Sequence, residues 1–369
     1  MRNYAAAWLL VTGSALFTEV ASAATANQCE GKVAKAVCMK GALDAASQVT
    51  LKSGYKDDHN PFGSPYFVTA KASADDVGLS RAASKVTYPG ATDVAASDGY
   101  TISYNAANAQ PNWVSYRLRS SDFVETVPRY GDAFVVDPWL DANKKALGIT
   151  KLPAHDTYTN TGYDRGHMLA SEHRTQSDYG NFTSFVTSNL IPQSSPVNSG
   201  PWAEFEDYCK TLATSGKRDL FVIAGPLFES STVTYVAAMN KLGVESTTIL
   251  RRPDAAWKIV VSVPAGTNVS TATSSVGWEI FALIMANRDE NGCYPLSDHC
   301  ALAAFASKAS CTKVCDATLA IPQSTDWNVV PGLKTTLTSL ETKTGLKFFS
   351  LMSSALRAEV ESKVNTTIK

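Results

Sequence analysis

Six consecutive residues, Tyr163-Asp164-Arg165-Gly166-His167-Met168, bring together an acid, a cation, a flexible residue and a base. Histidine is the one side chain able to act as that base near neutral pH. A second polar cluster follows: Ser188-Asn189-Leu190-Ile191-Pro192-Gln193, then Asn198, Trp202 and Glu206. Cleaving a phosphodiester with water needs an activated water, a counter-charge for the developing negative phosphorane, and a proton for the leaving oxygen. A neutral His167 can take the water's proton. An oxygen-ligated Mg²⁺ can clamp the phosphate oxygens, and one of its waters can protonate the leaving alkoxide. Asn198 offers a hard carbonyl oxygen without adding charge, and an ionised Glu206 can hold the ion's waters in place. External water as nucleophile needs no 2′-hydroxyl, so both DNA and RNA qualify as substrates.

Each of these residues also has a bland reading. An isolated histidine is more often structural than catalytic. An asparagine at a helix start is ordinarily an N-cap, and Glu206 with Lys210 an i,i+4 pair on a solvated face. Arg165 alone reads as a surface charge.

Local structure must position these groups. Tyr100, Ile102 and Tyr104 alternate with Thr101 and Ser103, as in a half-buried strand. Phe182–Leu190, Leu220–Ala224, Trp257–Val263 and Glu279–Met285 are further β-like runs. A helical pattern runs through Trp202, Phe205, Cys209 and Leu212. Pro201 is tolerated only in a first turn, so this helix starts near Asn198. That places Glu206 two turns on and Lys210 one turn beyond it. A last amphipathic helix fits Phe348 to Val364. Strands in several patches with few crossover helices favour an α+β fold over a doubly wound sheet.

The chain has 369 residues, 44% hydrophobic and 18% charged, which excludes a disordered tail protein. With 33 Lys+Arg against 34 Asp+Glu the net charge is −1, so any phosphate-binding site must be local. No Gly-rich phosphate loop, H-E-x-x-H or G-x-S-x-G is present. His167 and His173 lie six apart, which does not place them on one helical face as zinc ligands.

Arg2, the apolar run Ala5 to Phe17 and the A-x-A site Ala21-Ser22-Ala23 have the layout of a signal peptide over residues 1–23. The expected location is therefore secreted or periplasmic, without membrane attachment. Disulfides become the default state of the cysteines there. Cys29 and Cys38 are close enough to close a small loop. The cluster Cys293, Cys300, Cys311 and Cys315 allows three pairings, which stay open, and Cys209 reads as a buried thiol.

Asp164-Arg165-Gly166-His167, the Ser188–Gln193 stretch, and Asn198 with Trp202 and Glu206 resemble the DNA/RNA non-specific endonuclease family. This is the ββα-metal group that includes mitochondrial endonuclease G and secreted bacterial nucleases. Further segments match in order: Gly99-Tyr100, Pro111-Asn112-Trp113-Val114, Arg129 with Asp137-Pro138, Leu220–Phe228, Trp257-Lys258-Ile259-Val260, and Leu340-Glu341 to Phe348-Phe349. The resemblance implies a ββα-metal nuclease fold, a mixed and mainly antiparallel sheet layered with helices, in one catalytic domain over 96–350. Residues 24–95 are then an N-terminal extension and 351–369 a helical tail.

The resemblance also implies roles. His167 is the general base. Asn198 is the sole direct protein ligand of one Mg²⁺, for which Mn²⁺ can substitute. Glu206 orders the metal's waters, and Asn189 positions the histidine or those waters. Asp164 fixes the loop, Arg165 and Arg129 contact phosphate, and the products carry 5′-phosphates. Arg117 and Arg119 compete with Arg129 for its assignment. Lys210 stands where some members carry arginine, so a bidentate phosphate contact becomes a point charge. Leu169-Ala170-Ser171 departs from the Ala-Pro common after the histidine.

Two other classes compete with a secreted Mg²⁺-dependent nuclease of DNA and RNA. One is a catalytically inactive nucleic-acid-binding or effector module on the same fold, against which the joint presence of His167, Asn198 and Glu206 argues. The other is a disulfide-stabilised binding protein, in which an ordered series of matches would be coincidence. No inhibitor or oligomeric state is legible.

Overall fold

The computed structural model describes residues 47–48, 54–68, 76–80, 99–124, 127, 129, 134–239, 242, 245–296, 300, 313–321, 327–328 and 333–367. The expected signal peptide and Cys29, Cys38 and Cys311 lie outside the described residues. In chain order the strands are β1 (Ser47–Gln48), β2 (Tyr66–Phe67), β3 (Asp76–Ser80), β4 (Thr101–Asn105), β5 (Gln110–Leu118), β6 (Asp164–His167) and β7 (Leu190–Gln193). They continue with β8 (Arg218–Leu227), β9 (Tyr235–Met239), β10 (Glu245–Arg251), β11 (Ala255–Pro264), β12 (Glu279–Ala286) and β13 (Leu346–Lys347). The helices are α1 (Pro138–Asn143), α2 (Asp178–Ser184), α3 (Ser195–Asn198), α4 (Pro201–Thr214), α5 (Leu337–Thr344) and α6 (Ser354–Ser362).

A seven-stranded sheet in the order β1-β3-β4-β5-β8-β11-β12, antiparallel throughout, forms the middle layer. Its central strands are buried on both faces, which is why they read as continuous apolar runs. On β11, Trp257, Ile259, Val261 and Val263 face one core, with Phe62, Phe348, Phe349, Leu356 and Val360. Ala256 and Val260 face the other, with Trp202, Phe205 and Cys209 of α4. Helices thus layer both sides of one sheet, as the α+β reading requires. The long runs Leu220–Ala224, Trp257–Val263 and Glu279–Met285 all fall inside strands.

Local readings that differ have identifiable causes. Phe182–Leu190 is not a strand: α2 ends at Ser184, and a 3₁₀ turn covers Thr187–Asn189. Ser177 caps α2 through the Gly180 amide at 3.0 Å. Phe182, Phe185 and Val186 are fully buried, and a short buried helix has no polar face to betray its period. Asn198 does not open the long helix but closes the single turn α3; Gly200 breaks the chain and Pro201 takes the first position of α4. The last helix is shorter than the span Phe348 to Val364. Ser353 caps it, and Phe348 and Phe349 precede it as core residues.

β4 is not half-buried either, because residues 54–68 cover its polar side. Thr101 and Ser103 are both enclosed. Asp57 accepts from the Thr101 hydroxyl, and Ser115 Oγ donates to the His59 carbonyl at 2.9 Å. Phe62 lies against Phe221, Trp278 and Phe349, with ring centres 5.3, 5.6 and 5.7 Å away. The described parts of the stretch read as an extension therefore pack into the domain. Cys293 is bonded to Cys315, Cys300 is also in a disulfide, and Cys209 is a buried free thiol. Among the described residues no helix is long and apolar enough to cross a membrane.

Truncating a buried phenylalanine in such a cluster costs about 3–5 kcal/mol. Phe62→Ala is expected to lower the urea midpoint of the whole domain in one cooperative transition. Loss confined to a separate early phase would mean that residues 54–68 are an independent appendage.

Candidate active site

β6 pairs with β7 in a two-stranded antiparallel sheet, with Asp164 opposite Gln193, Gly166 opposite Ile191 and His167 opposite Leu190. A Cβ on Gly166 would lie 2.5 Å from Gln193 Cβ, which cannot swing aside as the end of that side chain could, so glycine suits this approach. Beyond the strand, the Met168 amide donates to the Asn189 carbonyl at 3.0 Å. The Leu169 amide donates to Asn189 Oδ1 at 3.0 Å, and Asn189 Nδ2 donates to the carbonyls of Leu169 and Ser184 at 2.9 and 2.8 Å. Asn189 is 0% exposed and committed to backbone groups. It braces the segment carrying His167 and does not line the cleft.

Alternation along β6 sends Arg165 and His167 to the same side. The His167 ring lies between Phe134 and Phe185, with centres 5.6 and 5.3 Å away. Arg165 sits over Phe134 at 5.1 Å and donates to the His155 carbonyl at 3.3 and 3.4 Å. Arg129 lies over Phe185 at 5.8 Å. On the other side of the strand, Asp164 Oδ2 accepts from Asn198 Nδ2 at 3.0 Å. This bond engages the amide nitrogen of Asn198, a residue of the cleft wall. It forms because α3 ends at Asn198; the first turn of a long helix would have used that side chain as a cap.

α4 supplies the remaining wall. Trp202 Nε1 donates to the His167 carbonyl at 3.3 Å, so Trp202 holds the site as well as packing. One turn on, Glu206 Oε1 accepts from Lys258 Nζ at 2.8 Å. Arg129, Asp164, Arg165, His167, Asn198 and Glu206 all line one cleft of about 560 Å³. Arg117 and Arg119 do not line it, which separates them from Arg129, and neither does Lys210. Phe134, Glu172, Asp207 and Lys258 escaped the reading of the sequence. Only Lys258 carried a signal, as a lone cation inside an apolar strand.

Burial between the phenylalanines pushes the His167 imidazole down to about 3, and Arg129 adds to the effect against a backbone hydrogen bond at Arg165. The ring is therefore neutral at physiological pH, and its Nε2 has no protein partner. Burial raises the Glu206 carboxyl, and Lys258 works against that rise. The cleft thus combines an unprotonated base, two guanidinium groups, a carboxamide oxygen and a carboxylate. Among the described residues no three His, Cys, Asp or Glu gather as metal ligands. A divalent ion here would be held by the Asn198 oxygen and otherwise by water and substrate, a donor set that suits hard, oxygen-seeking Mg²⁺.

Residues 79–354 match the family described as DNA/RNA non-specific endonuclease. The chain is 27% identical over 267 residues to a nuclease of Nostoc sp., covering 72% of this chain and 76% of that protein. It is 30% identical over 128 residues to the human mitochondrial nuclease EXOG, covering 35% of this chain and 33% of that one. Against human mitochondrial endonuclease G it is 24% identical over 189 residues, or 51% and 61% of the two chains. A chain of a solved EndoG/EndoGI complex aligns with a TM-score of 0.48 at 19% identity, covering 73% of this chain and 89% of that one.

His173 is 2% exposed, and burial lowers its imidazole to about 3 from the usual 6.5. Between those values the unfolded chain holds the proton and the folded one does not. Stability is complete above pH 6.5 and falls as the pH drops towards 3. Each such imidazole contributes a slope of about 1.4 kcal/mol per pH unit. Urea melts between pH 7 and 4 are expected to show this decline, shallower by one proton in His173→Phe. An unchanged slope in that variant would mean that His173 is protonated in the fold.

Proposed function

The chain belongs to the DNA/RNA non-specific endonuclease family and is a nuclease, and on that premise we propose that it hydrolyses both DNA and RNA, with His167 as general base and one Mg²⁺ held by Asn198. The observation that carries this reading is the convergence on one cleft of His167, whose buried Nε2 has no protein partner, and Asn198, whose amide is bonded to Asp164.

In this reading His167 takes a proton from the attacking water through Nε2. Its low proton affinity keeps it unprotonated until the water is in place, and an approaching phosphate raises that affinity by adding negative charge. Phe134 and Phe185 fix the ring plane, and the Trp202 bond to the His167 carbonyl fixes its height in the cleft. Arg165 and Arg129 draw in the phosphate and offset the charge that develops on it. Arg165 is pre-set by the His155 carbonyl and the Phe134 ring. When bound, the ion supplies electrophilic charge to the scissile phosphate and a source for the proton that the leaving oxygen needs. Glu206 would hold waters of a bound ion by accepting their hydrogen bonds. Mn²⁺, another ion suited to oxygen ligands, substitutes.

Attack by water from the His167 side expels the 3′-oxygen and leaves 5′-phosphate ends. The reaction passes through no 2′-oxygen, so the sugar is not discriminated. The signal-like first 23 residues support action outside the cytoplasm.

Protein lacking residues 1–23 is expected to degrade supercoiled plasmid and RNA with Mg²⁺ and neither with EDTA. His167→Ala should lose activity on the order of 10²–10⁴-fold, and the wild-type products should need phosphatase before a kinase can label their 5′ ends. Cleavage of only one polymer would remove sugar non-specificity. Folded wild type that cuts neither with Mg²⁺ or Mn²⁺ would end the catalytic reading.

A further inference from the structure

Lys258 is 0% exposed, the one lysine buried to that degree among the described residues. It sits mid-strand on β11, opposite Ala224 on β8 and Leu283 on β12, and the small Ala224 leaves room beside it. Alternation on β11 turns it to the α4 side of the sheet, away from Trp257 and Ile259. An ammonium in such a place is costly unless it is paired. Its pair is Glu206, at 2.8 Å, and its Nζ also lies 3.9 Å from the Trp202 ring centre. Trp202 and Glu206 are one turn apart on α4, so a single cation meets both. The same Trp202 indole donates to the His167 carbonyl.

We infer that Lys258 is a positioning residue for the reaction: it holds Glu206 ionised and sets α4 in register with the strand that carries His167. This rests on the reading of Glu206 as the carboxylate that orders the metal's waters. Without Lys258 the carboxylate would face burial and the negative Glu172 with only the Trp202 side-chain hydrogen bond to favour its charge. A protonated Glu206 accepts fewer hydrogen bonds and cannot hold water against an ion. The other ionisable groups around the pair are His173, Cys209 and Tyr116, with Arg174 and Lys210 further out. Burial keeps His173 neutral and Cys209 a thiol, which leaves Glu206 as the acceptor for the Lys258 charge. Lys258 touches neither substrate nor metal, so it acts only through these two neighbours.

The test compares wild type, Lys258→Met and Lys258→Arg, first without metal. Carbon-13 titration should find the Glu206 carboxyl roughly one pH unit or more higher in Lys258→Met than in wild type. Lys258→Arg, which can both pair with a carboxylate and lie on an indole, should bring it back down. With Mg²⁺ and DNA, Lys258→Met is expected to lose on the order of 10–100-fold in kcat, with KM little changed and the acid limb of the pH profile moved upward. Should Lys258→Met fail to fold, Glu206→Gln gives the converse reading: the Lys258 amine, now unpaired, should titrate well below the usual lysine range. A Glu206 titration that ignores Lys258→Met, or a Lys258 titration that ignores Glu206→Gln, overturns the inference. Full activity in Glu206→Gln would instead overturn the role given to Glu206, whatever the titrations show.

Discussion

The contact of Gly166 with the Gln193 side chain sets how closely β6 can lie against β7, and the rest of the cleft hangs on that distance. Four residues of strand must present a base, a cation and a carboxylate in different directions, and a pleated strand does this only when its register is pinned. The pinning is backbone work. Asn189 spends its whole amide on the carbonyls and amides around Leu169 and Ser184, and Ser188 bonds the Asp137 that caps α1. A slip of one residue would turn His167 away from the cleft and bring Gly166 in its place.

Two opposite solutions to burial then stand side by side. His167 is kept neutral by phenylalanine walls and a nearby guanidinium, which suits a group that must accept a proton. Burial raises the Glu206 carboxyl, and a lysine enclosed in the sheet works against that rise, which suits a group that must hold water. The low dielectric that depresses the first favours protonation of the second, and a single ammonium on β11 opposes that effect. Trp202 joins the two, through its indole N–H to the His167 carbonyl and its ring face to Lys258. The base and the carboxylate come from different elements, yet one side chain spaces them.

The sheet makes this arrangement stiff. Its central strands are covered on both faces, by α4 on the side of the cleft and by α5, α6 and the Phe62 loop on the other. Lys258 therefore projects from a rigid platform, and α4 is clamped between that platform and β6. Groups held this way lose little order when substrate binds, which is what electrostatic catalysis by pre-set dipoles and charges requires.

Residue type and local pattern determined much of this from the chain alone. His167, Asn198, Glu206, Arg165 and Asp164 stood out by chemistry and order, and the strands β8, β11 and β12 and the helix α4 by apolar pattern. Those features are local, and a linear chain displays them. The tertiary structure decided what each side chain meets. It turned Phe182–Leu190 from a strand into a buried helix and turn, because apolar residues enclosed on all sides carry no period. It ended α3 at Asn198 and so gave that amide to Asp164 instead of a cap. It placed Arg129 in the cleft and left Arg117, Arg119 and Lys210 outside. It brought Lys258 to Glu206 across 52 positions of sequence. Such a pair depends on which strand lies under which helix, and burial makes it matter: two exposed charges would be a weak surface pair, whereas the fully enclosed Lys258 is costly without the carboxylate at the cleft wall.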